Sequence, residues 1–176
     1  MKSIAAKGVP AEKNDHPIIF TFRDVVTGDG FLAGITLSGK LLVRVEDAKW
    51  WTFGVRPGGI AESGETPQQA LAAFRNRYRE TLFDIANECR TYEAFQEEVS
   101  RFFFEPDPEE EHRWEDALMR AREEGAVLPP GLEEIPKGNP EVQPSGITIE
   151  RLDLPNRRFM PSDNIRDAIY YPQIAA

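Results

Sequence analysis

A chain of 176 residues with 40% apolar and 10% aromatic side chains can bury a core of its own but is too short for two large domains. Its net charge of −9 disfavours direct nucleic-acid binding, because an acidic surface repels phosphate backbones. No apolar run approaches a bilayer span, the amino terminus lacks the apolar centre of a signal peptide, and a lone Cys89 excludes an internal disulfide, so a cytoplasmic protein is expected.

Residues 1–15 read as a flexible tail. Ile18–Val26 is rich in branched and aromatic residues and partly alternates, which predicts a strand. Thr27-Gly28-Asp29-Gly30 is a tight-turn signal, Phe31–Leu37 a second strand, Ser38-Gly39-Lys40 a second turn and Leu41–Glu46 a third strand. After a polar connection at Asp47–Lys49, Trp50–Val55 is a fourth extended segment. The expectation is an α+β fold, with a three- to four-stranded antiparallel meander packed against a long helix and further helices added.

That long helix is announced by Thr66 as N-cap, Pro67 at its first position and Gln69 as capping-box partner. Ala70, Leu71, Phe74, Tyr78, Leu82, Ile85 and Cys89 follow at spacings of three and four, a stripe that should lie on the sheet. Arg75, Arg77, Arg79, Glu80 and Asp84 should face outward or sideways. A second helix is expected over Thr91–Phe104, burying Tyr92, Phe95, Val99, Phe102 and Phe103. Asp107, Pro108 and Glu110 open a third, with Trp114, Leu118 and Ala121 as its apolar side and Gly125 as its stop. A loop-rich passage follows, then a strand over Gly146–Leu154 and a short helical turn near Asn164–Tyr170.

Candidate chemistry is sparse. Cys89 is in phase with the apolar stripe and reads as a small core residue. His16 falls in the tail, and His112 pairs naturally with Glu109 or Asp116 in solvent. The acids Glu109, Glu110, Glu111, Glu115 and Asp116 point in different directions around a helix and read as a solvated run. Two histidines and one cysteine leave little for a zinc site, so no metal or cofactor is expected.

Two resemblances cover the centre of the chain. Pro57-Gly58-Gly59, Glu62, Gly64-Glu65-Thr66 and Ala70 resemble the opening of a Nudix box, the motif of metal-dependent pyrophosphate hydrolases. Gly59 and Glu65 match its start, but Ala73 and Phe74 stand where that family has Arg-Glu, and Arg77 and Tyr78 stand at its paired glutamates. Two hard cations need several oxygen ligands on one surface, which those residues do not offer.

The second resemblance runs further. The three strands, the turn Arg56-Pro57-Gly58-Gly59 and the helix opening Gly64-Glu65-Thr66-Pro67-Gln68-Gln69-Ala70 are similar to the amino-terminal domain of HicB-type antitoxins, a partial RNase H-like α/β fold. Glu124-Gly125-Ala126-Val127-Leu128-Pro129 resembles that family's passage into its last strand. The similarity implies a HicB-like domain over residues 16–154, with a helical insertion around 90–124 and a carboxy-terminal extension over 155–176. It also implies a non-catalytic protein that binds a small basic toxin-like protein. The DNA-binding module usual in that family has no convincing counterpart here. Contact candidates are Trp50, Trp51, Arg56, Arg75 and Arg79: tandem tryptophans cannot both enter one core, and aromatics and arginines enrich binding hot spots. An uncovered sheet edge makes a homodimer credible as well.

Overall fold

The computed structural model describes residues 15–105, 107–125, 128–132, 146–154 and 169–170. Among these residues six strands make one antiparallel sheet: β1 (His16–Gly28), β2 (Phe31–Glu46), β3 (Lys49–Arg56), β4 (Ala61–Gly64), β5 (Gly146–Arg151) and β6 (Ile169–Tyr170). The order is β4-β3-β2-β1-β6, with β5 also on β2. The same described residues hold three helices: α1 (Pro67–Glu88), α2 (Tyr92–Phe104) and α3 (Pro108–Glu124). No helix among the described residues is long and apolar enough to cross a membrane.

The hairpin of β1 and β2 turns at Asp29-Gly30, where Gly30 takes φ of 73°. β2 then runs unbroken for 16 residues, which corrects the turn expected at Ser38-Gly39-Lys40. Gly39 is there for space: a Cβ on it would collide with the Phe20 ring and the Arg56 carbonyl. Phe20 is its cross-strand partner, and β1 supplies ladder bonds past the whole stretch, so the backbone has no reason to turn. The opposite edge of β2 is shared. β5 pairs with Ala33–Ser38 and β3 with Lys40–Glu46, and the register shifts between Lys40 and Leu41. The chain turns from β2 to β3 at Asp47-Ala48, both left-handed at φ of 51° and 61°. β4, which the sequence does not announce, folds back on Trp50–Phe53.

α1 begins as its signals predict. The Thr66 hydroxyl accepts from Gln69 N–H at 3.2 Å, while the Gln69 side chain accepts from Glu65 N–H at 3.0 Å, one residue before the cap. Strand alternation then separates two faces. Ile18, Phe20 and Phe22 of β1 and Phe31, Ile35, Leu41 and Val43 of β2 meet α1 and α2 on the first face. The Phe74 ring stands edge-on to Phe20, and Tyr78 edge-on to Phe22 and stacked on Phe102. Cys89 is buried in that core, and burial pushes its thiol up. Ile19 and Leu42, the alternate residues, meet Val55 and α3 on the second face.

Between α2 and α3 the chain passes Gly58, where a Cβ would lie 3.0 Å from the Asp107 side chain and 3.5 Å from the Glu105 carbonyl. The expected helical turn near Asn164–Tyr170 is corrected at its end, since Ile169–Tyr170 pair with Ile19–Phe20 as strand. Residues 164–168, the tail up to Asn14 and most of the 155–176 extension lie outside the described residues.

Candidate contact surface

The second sheet face and the helix over it hold the densest polar chemistry of the described residues. Alternation along β2 places Lys40 and Arg44 on the same side as Leu42, and β3 adds Trp51, Phe53, Val55 and Arg56. α3 lies across them. Its N-cap Asp107 accepts from Glu110 N–H at 3.2 Å, which directs the first turn toward the sheet.

Two consecutive acids of that turn engage the sheet cations. Glu110 accepts from both terminal nitrogens of Arg44, at 3.1 and 3.2 Å, in the bidentate arrangement that suits guanidinium and carboxylate. The Arg44 Nε donates to Glu46 at 2.7 Å, Asp15 stands 3.7 Å away, and the guanidinium lies 3.6 Å over the Phe53 ring. Arg44 is only 4% exposed. Burial alone would lower its pKa, but the bonds to Glu110 and Glu46 outweigh that and hold it above the ordinary arginine value. Glu111 accepts from Arg56 at 3.1 Å and stands 4.0 Å from Lys40, whose ammonium sits 4.5 Å over the Trp114 ring.

These contacts correct the reading of residues 109–116 as a solvated run. Glu110 and Glu111 neutralise sheet cations, whereas Glu109 pairs with Arg113 and His112 with Asp116 out in solvent. Beyond them, a groove of about 540 Å³ is lined by Asp15, Arg113, Asp116, Met119, Arg120 and Glu123.

The sequence-derived contact residues occupy three places. Trp51 and Arg56 lie on the α3 side, Trp51 stacked on Phe53 with centroids 5.8 Å apart. Trp50 points the other way, half-buried against the main core and 6.5 Å from the His16 ring. Arg75 and Arg79 sit one turn apart on α1 beside β1. The Arg75 guanidinium is 5.9 Å from the Phe20 ring, and Arg79 is ion-paired with Asp24. Arg44 is not among the contact residues the sequence points to. Its one signal is a lone charge within Leu41-Leu42-Val43-Arg44-Val45, a run apolar enough to be covered on both faces.

Glu65, the acid that matches the Nudix opening, is exposed at the start of α1, and Glu62 lies 3.7 Å from Arg77. Among the described residues, no three His, Cys, Asp or Glu side chains gather where they could hold a metal ion. Compared with family models, curated proteins and solved structures, the chain gives no match in any of the three.

Proposed function

We propose that the chain is a non-catalytic, antitoxin-like contact domain that binds a small basic protein across the outer side of α3. The supporting observation is the division of labour along that helix. Glu110 and Glu111 turn inward and fix it to the sheet, while Glu109, Glu115, Asp116, Glu123 and Glu124 stay exposed and outnumber Arg113, Arg120 and Arg122. Met119, 55% exposed beside Asp116 and Glu123, supplies an apolar anchor among those charges. A fixed acidic surface with an apolar anchor suits a basic partner by charge complementarity.

Affinity purification of the tagged full chain from its native cells, with mass spectrometry and light scattering, tests this reading. A stoichiometric small basic protein is expected, and it should be lost when Asp116 and Glu123 are both changed to lysine. Trp51→Ala and Arg75→Ala probe the contact positions inferred from sequence. A homo-oligomer with nothing bound would reject the partner. It would favour the second reading, a self-pairing homodimer, which rests on the outer edge of β4 having no strand beside it among the described residues.

A further inference from the structure

We propose that α3 is a latched cover: it lifts from the sheet as a unit, without unfolding the α1 side, and the latch is the pairing of Glu110 and Glu111 with Arg44, Arg56 and Lys40. The inference is independent of the proposed partner. It starts from how little apolar surface holds the helix among the described residues. Ile19, Leu42 and Val55 meet Trp114 and Ala117, with Phe53 and Leu118 at the margin. A helix with so small an apolar footprint belongs to the low-stability part of a fold and can open sub-globally.

The polar contacts are concentrated at one end. Glu110 and Glu111 both lie in the first turns of α3, so their bonds to Arg44, Arg56 and Lys40 act on a single point of attachment. Farther along, the helix presents exposed Glu115, Asp116, Met119, Arg120, Glu123 and Glu124. The closed state also carries an unmet group. The Trp114 indole N–H is buried with no hydrogen-bond partner among the described residues, and water would satisfy it once the helix lifts. Opening bares Leu42, Val55 and the Phe53 ring, and releases the two terminal nitrogens of Arg44 from Glu110.

Hydrogen exchange read by mass spectrometry on the whole chain tests the device, with α1 fragments as internal reference. In the unaltered protein, α3 fragments should exchange at least about tenfold faster than those of α1, because a 17-residue helix lifted from the sheet is only marginally helical in water. Glu110→Gln keeps the shape and removes the charge, and should speed α3 by about tenfold or more while leaving α1 unchanged. Glu115→Gln, on the exposed side, should alter neither. A common rate for α3 and α1 in the unaltered protein would overturn the proposal. So would a Glu110→Gln variant that speeds both helices equally, or one that leaves α3 unchanged.

Discussion

The two faces of this sheet are made from the same strands and held by different physics. On the first face, β1 and β2 set Phe20, Phe22, Ile35 and Leu41 against Phe74, Tyr78, Phe95 and Phe103, all at or near zero exposure. Aromatic rings meeting edge-on exclude water over a broad area. On the second face a few apolar side chains are ringed by Lys40, Arg44 and Arg56, which meet Glu110 and Glu111. Apolar burial tolerates loose partner identity, since any side chain of suitable volume serves. A partly buried ion pair tolerates none, because a removed partner leaves a charge stranded away from water. The first face therefore carries the stability of the molecule, and the second fixes where one helix sits.

Substitutions on each face should separate these roles. Phe74→Ala, in the middle of the first face, should cost about 3–5 kcal/mol in urea unfolding and lower the stability of the whole fold. Arg44→Ala should cost about 3 kcal/mol by stranding Glu110. Arg44→Met combined with Glu110→Leu should recover most of that loss, since the two charges of the bidentate pair go together and only the contacts of Arg44 to Glu46 and Asp15 are forfeited. If the double variant were as unstable as the single one, the pairing of Arg44 with Glu46 and Asp15, and not with Glu110, would be the contact that matters.

Tyr78 sharpens the contrast from the first face. Its hydroxyl is fully buried with no hydrogen-bond partner among the described residues, so Tyr78→Phe should stabilise the protein by about 1 kcal/mol. Burial pushes the phenol far above its ordinary value of 10.0. Below that pH both folded and unfolded chains keep the proton and the group has no effect. Above it the unfolded chain ionises first, so stability falls as pH rises, by up to about 1.4 kcal/mol per pH unit from this group. Denaturation of parent and Tyr78→Phe from pH 9 to 11 should show the two diverging above pH 10. Parallel curves would mean that the phenol reaches solvent.

The smallest effect belongs to the hairpin that carries Arg44 and Trp51. Ala48 is left-handed at φ of 61°, where a Cβ is strained. Ala48→Gly should add about 0.5 kcal/mol, the relief of strain being partly offset by greater freedom in the unfolded chain. A loss of stability on thermal melting would place the cost of unfolded-state freedom above the strain.

Much of the architecture was legible because its causes are local. Thr66, Pro67 and Gln69 act within one helical turn, and so do Asp107, Pro108 and Glu110. The Phe74, Tyr78 and Leu82 stripe follows from helical period alone. Ser38-Gly39-Lys40 misled because a glycine that makes room for the Phe20 ring has the same letter as one that makes a turn. β4 and β6 are four and two residues long, too short to carry a period. Alternation implies only that Trp50 and Trp51 cannot share one core; which neighbours each meets, His16 and the main core for Trp50 and Phe53 for Trp51, is settled by the tertiary structure.

The amino-acid sequence by itself determined the three long helices, the longer strands and which side of each is apolar, since propensity, capping and periodicity act between near neighbours. Only the tertiary structure decided that β3 and β5 share one edge of β2. It alone decided that Glu110, among five acids in one short stretch, is the one that meets Arg44 66 residues away. The physical reason is that charges carry no address. Any of those carboxylates could pair with any cation, and the choice is made by where packing on the first face leaves α3 lying across the second.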